Sequence, residues 1–344
     1  MQLWLKIFFM RKLLILTLLF LSSQCIAQKP KVDKPAFKFE GGVQKLDKKV
    51  LKEAKPTALV LTAVRFNTSI MHHDAEGDKA FSKSRVDAYT WANLQGLSDQ
   101  DFQEITDEFH DYLQTKLSAA GFSEVPWIDI EQNASYKKDS EKQEERKVSF
   151  KDGSAYAVYT GKNRAFFKPG PAPMSKMSRT MKCNVMAVGV EVNFADLGLA
   201  IERSYSESSW EDATHIYKER QLKYGAESSI VPVLKVQTNP DVLRNISKVD
   251  VYTDYLGVSG SLQRPLLSSA EFVSSMTKED VADNEESSGK KILKAISPNM
   301  AGIASTNTDS YTITADPAQF KSAARELLHQ YADNIVSTMS SYTK

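Results

Sequence analysis

A chain of 344 residues, 42% hydrophobic and 25% charged, is long and apolar enough to bury the core of one large domain or two moderate ones. Its formal net charge is +1 and no strongly basic block follows the N-terminus, so no nucleic-acid partner is expected.

Arg11 and Lys12 precede the apolar run Leu13 to Leu21, and Ser22-Ser23-Gln24-Cys25-Ile26-Ala27-Gln28 follows. A basic start, an apolar stretch of about ten residues and a small residue at the cut predict a secretory signal peptide over residues 1–27, cleaved between Ala27 and Gln28. Met10 frames this leader as its start, and the residues before it read as an extension. Lys6, Arg11 and Lys12 break the stretch from Trp4 to Leu21, which falls short of the ~20 apolar residues of a spanning helix, so no transmembrane segment is expected in the mature chain. Lipid attachment at Cys25 is the alternative, but Gln24 stands where a lipidated bacterial cysteine is normally preceded by Gly, Ala or Ser. Cleavage leaves basic and acidic residues nearly balanced and Cys183 as the remaining cysteine. Such an exported chain has no internal disulfide and rests on packing. Cys183 itself reads as a small buried residue of a strand.

Residues 28–56, rich in Lys and Pro, read as an exposed tether with one short helix through Val43, Leu46, Val50 and Leu51, ended by Pro56. Thr57 to Ile70 is a strand. A long polar connection over 71–97 follows, with His72-His73-Asp74-Ala75-Glu76-Gly77-Asp78 at its start and Trp91 near its end. Ser98 is then an N-cap with Asp101 in the capping-box position. Phe102, Ile105, Phe109, Tyr112, Leu113, Leu117 and Ala120 share one helical face, and Gly121 ends the helix. Phe122 to Ile130 reads as a second strand. The polar stretch 131–147 lacks an apolar face and reads as a solvated helix or loop. Tyr156, Val158 and Tyr159 mark a short element, and the three prolines of Lys168 to Pro173 mark an extended linker.

Met186 to Phe194 alternates Val188, Val190, Val192 and Phe194 with Ala187, Gly189, Glu191 and Asn193, which predicts a strand with one bulky apolar face. Leu197 to Glu202 continues it after a kink at Asp196, and Ile230 to Thr238 and Lys248 to Leu262 are its partners. The charged run Glu279 to Lys291 reads as an exposed loop, and Tyr311 to Thr314 as the last strand. Asp316, Pro317 and Gln319 start a final helix whose apolar face runs through Phe320, Leu327, Tyr331 and Ile335. The expected fold is α+β, a mixed or antiparallel sheet covered by two long amphipathic helices, as a single domain over 57–344 with polar insertions at 71–97, 131–150 and 277–291.

His72, His73, Asp74 and Asp78 form the only cluster of metal-ligand residue types, with no HExxH or paired CxxC beside them, and a polar surface loop is the plainer reading. His110, His215 and His329 are isolated, the first and last on the two strong helices, where a surface or boundary position is usual. No GxSxG, GxGxxG or GxxxxGK[ST] occurs, so no cofactor and no local nucleophile are expected. Glu144-Glu145 and Glu285-Glu286 read as solvated charge. A glycosidase pair can be drawn from distant positions, and a cleft gathering several of Asp74, Asp78, Asp129 and Glu191 would favour a secreted hydrolase.

The order of elements, a strand Thr57 to Phe66, a long polar connection, a helix Ser98 to Gly121 ending in Gly-Phe, a strand Phe122 to Ile130 and the later strand Val233-Leu234-Lys235-Val236-Gln237-Thr238, resembles the periplasmic domain of the curli secretion factor. It is similar in the same way to outer-membrane lipoprotein cofactors and to the TolB N-terminal domain. The resemblance implies a binding or assembly module without catalysis. The expected function is therefore that of an exported accessory protein, periplasmic or extracellular and associated with the outer membrane. Its expected partner is an envelope protein or cell-surface component, and the hydrolase is the alternative.

Overall fold

The apolar alternation of residues 184–194 places this segment at the centre of a mixed twelve-stranded sheet. The computed structural model describes residues 36–40, 50–76, 86–140, 147–211, 216–238, 248–280 and 305–343, and the whole leader lies outside them. In chain order the strands are β1 (Phe37–Glu40), β2 (Thr57–Glu76), β3 (Val86–Gln95), β4 (Lys147–Ser149), β5 (Ala155–Thr160), β6 (Asn184–Glu211), β7 (Ile216–Gln237), β8 (Val249–Thr253), β9 (Leu256–Leu262), β10 (Leu266–Leu267), β11 (Val273–Asp280) and β12 (Ser305–Ala315). The helices are α1 (Asp99–Ala119), α2 (Trp127–Gln132), α3 (Ala134–Ser140), α4 (Pro171–Met181) and α5 (Pro317–Tyr342). The fold is α+β, with five helices among the described residues, two of them long.

β2 and β6 run parallel, from Thr57 beside Asn184 to Phe66 beside Val192. The far edge of β6 takes β8, with β9 and β1 beyond it. It then takes β7, antiparallel from Gln237 beside Glu191 to Ile216 beside Glu211. β2 continues past β6 to pair antiparallel with β3, which is followed by parallel β12 and by β11 at the edge. β5 lies on the opposite edge of β2, along Ala63 to Ser69.

The side-chain period of two sorts the core into two clusters. Met186, Val188, Val190, Val192 and Phe194 of β6 join Leu59, Val64 and Phe66 of β2 in the larger, together with the buried faces of α1 and α5. Val185 and Ala187 join Ala58, Val60, Leu61 and Ala63 in the smaller, with Ile130, Tyr136, Met174 and Met177 from the three short helices. Val60 and Leu61 share a cluster although they are consecutive. A register shift between Leu59 and Leu61 resets the phase, as a β-bulge does.

Both long helices begin as their sequences predict. Ser98 Oγ accepts from the Asp101 amide at 3.2 Å, while Asp101 Oδ2 accepts from the Ser98 amide at 2.9 Å. The Ser98 hydroxyl, which donates to Asp101 Oδ2 at 2.7 Å, then the Ser98 amide and Lys321 of α5 at 2.9 Å, hold the Asp101 carboxyl down at about 2. Asp316 Oδ1 accepts from the Gln319 amide at 2.9 Å and Pro317 opens the first turn. None of the helices among the described residues is long and apolar enough to cross a membrane.

Six expectations are corrected. The connection 71–97 is mostly strand: β2 runs on to Glu76, and β3 returns as its hairpin partner. Phe122 to Ile130 is not a strand, because Pro126 stops pairing after the single Thr57–Glu124 bridge and Trp127 opens α2. The polar stretch after it is not free of the core, since α3 turns Tyr136 into the smaller cluster. Pro171 and Pro173 begin α4 rather than a linker, since a proline's missing amide costs nothing in the first turn of a helix. The tether contains β1, whose buried Phe37 and Phe39 pack in the larger cluster, and Val50 and Leu51 are buried as well. Of the expected loop at 277–291, residues up to Asp280 belong to β11, and the remainder lies outside the described residues.

Gly96, between β3 and α1, has φ +88°, and a Cβ there would stand 2.5 Å from the Ala315 carbonyl oxygen where β12 meets α5. Left-handed backbone costs a side-chain-bearing residue about 1–2 kcal/mol and overpacking a further 1–3. Gly96→Ala is expected to lower stability by about 3 kcal/mol, read from denaturant midpoints. A loss under about 1 kcal/mol would show that the junction yields.

Candidate functional site

Beyond the smaller cluster, the same face of the sheet turns polar. Two-residue steps from Ala63 reach Arg65 and Asn67 on β2, and from Ala187 they reach Gly189, Glu191 and Asn193 on β6. The parallel register sets Arg65 beside Glu191. Glu191 is 5% exposed, and Asn67, Ser69 and Asn193 are also buried.

Glu191 Oε1 accepts from Asn67 Nδ2 at 2.8 Å, from Gln237 Nε2 of β7 at 3.1 Å and from Asn193 Nδ2 at 3.3 Å. Asn67 also donates to Asn193 Oδ1. The guanidinium of Arg65 stacks 3.8 Å over the ring of Tyr156 and donates through Nε to Asn67 Oδ1 at 3.3 Å. Its Nη1 stands 3.9 Å from Glu191 Oε2, near enough to balance charge but beyond hydrogen-bond reach. Oε2 accepts no hydrogen bond among the described residues. A buried carboxylate oxygen in that state costs free energy until a donor reaches it.

The cluster lines a cleft of about 220 Å³, whose apolar walls include Ile70, Met71, Phe150 and Tyr156. Glu191 is the one acid among its lining residues. Hydrolysis of a glycoside takes two carboxyl groups about 5–9.5 Å apart, one on each side of the bond. A single acid held by amides and offset by one guanidinium can accept hydrogen bonds from a ligand, and does not make that pair.

The other acids named from sequence lie elsewhere. Asp129 is exposed on α2, Asp74 is exposed near the far end of β2, and Asp78 lies outside the described residues. His72 and His73 point to opposite faces of β2, as neighbours on a strand must. His73 Nε2 lies 3.0 Å from Asp87 Oδ1 on β3, and its ring stacks on Tyr89 with centroids 4.4 Å apart. Among the described residues no three His, Cys, Asp or Glu side chains converge to hold a metal ion. His215, Glu144, Glu145, Glu285 and Glu286 lie outside the described residues.

His110 is deeply buried rather than at a boundary. Its Nδ1 is 3.0 Å from Thr62 Oγ1 of β2, and Arg164 Nη1 is 3.1 Å from its Nε2. Burial, then the charge of Arg164, lowers its pKa to about 4, so the ring is neutral near pH 7. Nε2 then accepts from the guanidinium and Nδ1–H donates to Thr62. This arrangement was invisible in the sequence, because an isolated histidine on an amphipathic helix has no local partner. His329 stacks on Tyr112 with centroids 3.8 Å apart. Cys183 is buried as expected, in the turn before β6 rather than within the strand, and burial pushes its thiol up to about 11. Comparison with protein-family models, with curated proteins and with solved structures returns no match to this chain.

Proposed function

We propose that this chain is an exported, envelope-associated binding protein or assembly accessory that performs no chemistry of its own, with the Glu191 cleft as the seat for its ligand. The observation that carries the proposal is the lone buried carboxylate: Glu191 is held by three amide side chains beside a cleft whose lining residues include no second acid, and its buried Oε2 accepts no hydrogen bond among the described residues. Such a group is costly to the fold and useful to a ligand that brings a donor. Export rests on the leader of residues 1–27. The assembly half of the reading draws on what remains of the element order resembling the curli secretion factor's periplasmic domain, the strand β2 and the helix α1, since 71–97 is mostly strand and Phe122 to Ile130 is not one. It draws also on two long hairpins, β2–β3 and β6–β7, the second running past Val192 with β6 paired to β7 alone. In this reading α1 and α5 cover one face of the sheet and leave the polar end of the other face to the ligand.

Intact mass by cell fraction in the producing host tests the address. A soluble periplasmic or secreted species beginning at Gln28 is expected, a lipid on Cys25 would move the cut while keeping the envelope, and a full-length cytoplasmic species would overturn export. For the site, the purified chain is expected to turn over no chromogenic glycoside or peptide substrate. Turnover that Glu191→Gln abolishes would replace the binding reading by the hydrolase.

A further inference from the structure

A second cleft, of about 530 Å³, opens between α2, α3 and the turn after β5. Its character comes from Arg164. The guanidinium is half-buried, lies 3.8 Å over the ring of Trp127, and gives Nη1 to the neutral His110. No carboxylate among the described residues stands within ion-pair distance of it. Of the nearby acids, Asp107 accepts from the Lys162 amide at 2.5 Å and from Gln103 Nε2 at 2.8 Å, Asp111 takes the Lys162 ammonium, and Glu124 is exposed and beyond ion-pair distance. Lys137 and Lys162 also line the cleft, against the single acid Glu131.

The turn that delivers Arg164 is strained. Lys162 and Asn163 have φ +56° and +52°, two consecutive non-glycine residues in the left-handed region. Such conformations cost about 1–3 kcal/mol each and gather at ligand clamps. A cation that folding has half stripped of water, paired with a neutral acceptor and presented by a strained turn, lacks an anion.

We infer that this cleft is a receptor for a phosphate group, with the Arg164 fork as the principal donor, Lys137 as a point charge, and Trp127 as the wall that keeps the guanidinium in place. The phosphate could be free in solution or the head group of a lipid, and the two sources share this chemistry. The inference is independent of the Glu191 seat.

The test uses the purified full chain, with inorganic phosphate titrated against tryptophan fluorescence and Trp127→Phe identifying the reporting ring. Phosphate is expected to change the Trp127 signal. Arg164→Gln is expected to weaken binding at least about tenfold, the loss expected for a charge-assisted hydrogen bond. Exposed Lys137→Ala is expected to weaken it several-fold with melting unchanged, and it serves as the reading if Arg164→Gln does not fold. Sedimentation with phosphatidylglycerol vesicles, reversed by free phosphate, would assign the lipid source, and phosphate binding without sedimentation the soluble one. The inference is overturned by absence of a phosphate response, by acetate matching phosphate, or by binding in the folded variants as tight as in the parent.

Discussion

Replacing Tyr331 with alanine is expected to cost about 4 kcal/mol of folding stability, within the range for deleting a large buried aromatic ring. The ring sits on α5 with no exposed surface, edge-on to Phe37 of β1 at 6.1 Å and stacked on Phe109 of α1 at 6.1 Å. Its hydroxyl donates to the Gly189 carbonyl of β6 at 3.1 Å, and burial raises its pKa far enough that it remains a donor at any working pH. One side chain thus joins two strands and both long helices. Tyr331→Phe keeps the ring and loses only the hydrogen bond, at about 1 kcal/mol. Urea midpoints of the two variants separate the contributions. Equal losses would mean that the hydroxyl, and not the ring, holds the joint.

Acidification is expected to destabilise the fold through His110 well before the carboxylates titrate. The unfolded imidazole titrates near 6.5, whereas burial and the neighbouring Arg164 charge hold the folded one at about 4. Between these values the unfolded chain binds a proton that the folded chain refuses, so stability is complete above pH 6.5 and falls as pH drops through the window. Linkage puts the loss at about 2 kcal/mol by pH 5 and about 3 kcal/mol by pH 4. Lys162 acts in the same direction and Asp111 opposes it, but both are smaller than burial. His110→Gln is expected to show little change in denaturant midpoint between pH 6.5 and 5, whatever its absolute stability. A parent and variant that lose stability equally over this range would remove His110 as the cause.

The elements legible in the sequence are those whose stabilising contacts are local. Ser98 and Asp101 satisfy each other's amides across three residues, and Asp316 caps the Gln319 amide over the same distance. The alternation of Met186 to Phe194 needs only the pleat of a strand to place its valines on one face. Misreadings arose where a residue's role depends on distant chain. Prolines 171 and 173 look like breakers until the first turn of α4 makes use of them. The stretch before Trp91 looks like a loop because β3 is buried by its strand neighbours and carries no simple alternation of its own. The polar helix α3 docks through Tyr136, a single ring that no periodicity reveals.

The candidate site divides in the same way. In the sequence Glu191 is one residue of the small-then-polar face with Ala187, Gly189 and Asn193, and one of four acids named for a hydrolase cleft. Its partner Asn67 is 124 positions away, and His110 meets Thr62 and Arg164 at separations of 48 and 54. By itself the sequence determined the two long helices, their caps, the central strand, the α+β class and the expectation of export, because caps and side-chain periods act over one or two turns of chain. Only the tertiary structure decided the parallel pairings of β2 with β6 and of β3 with β12, the burial of Glu191 and the cleft around Arg164. Register between strands is set by packing that closes long loops, and the cost of burying a charge is felt only after those loops have closed.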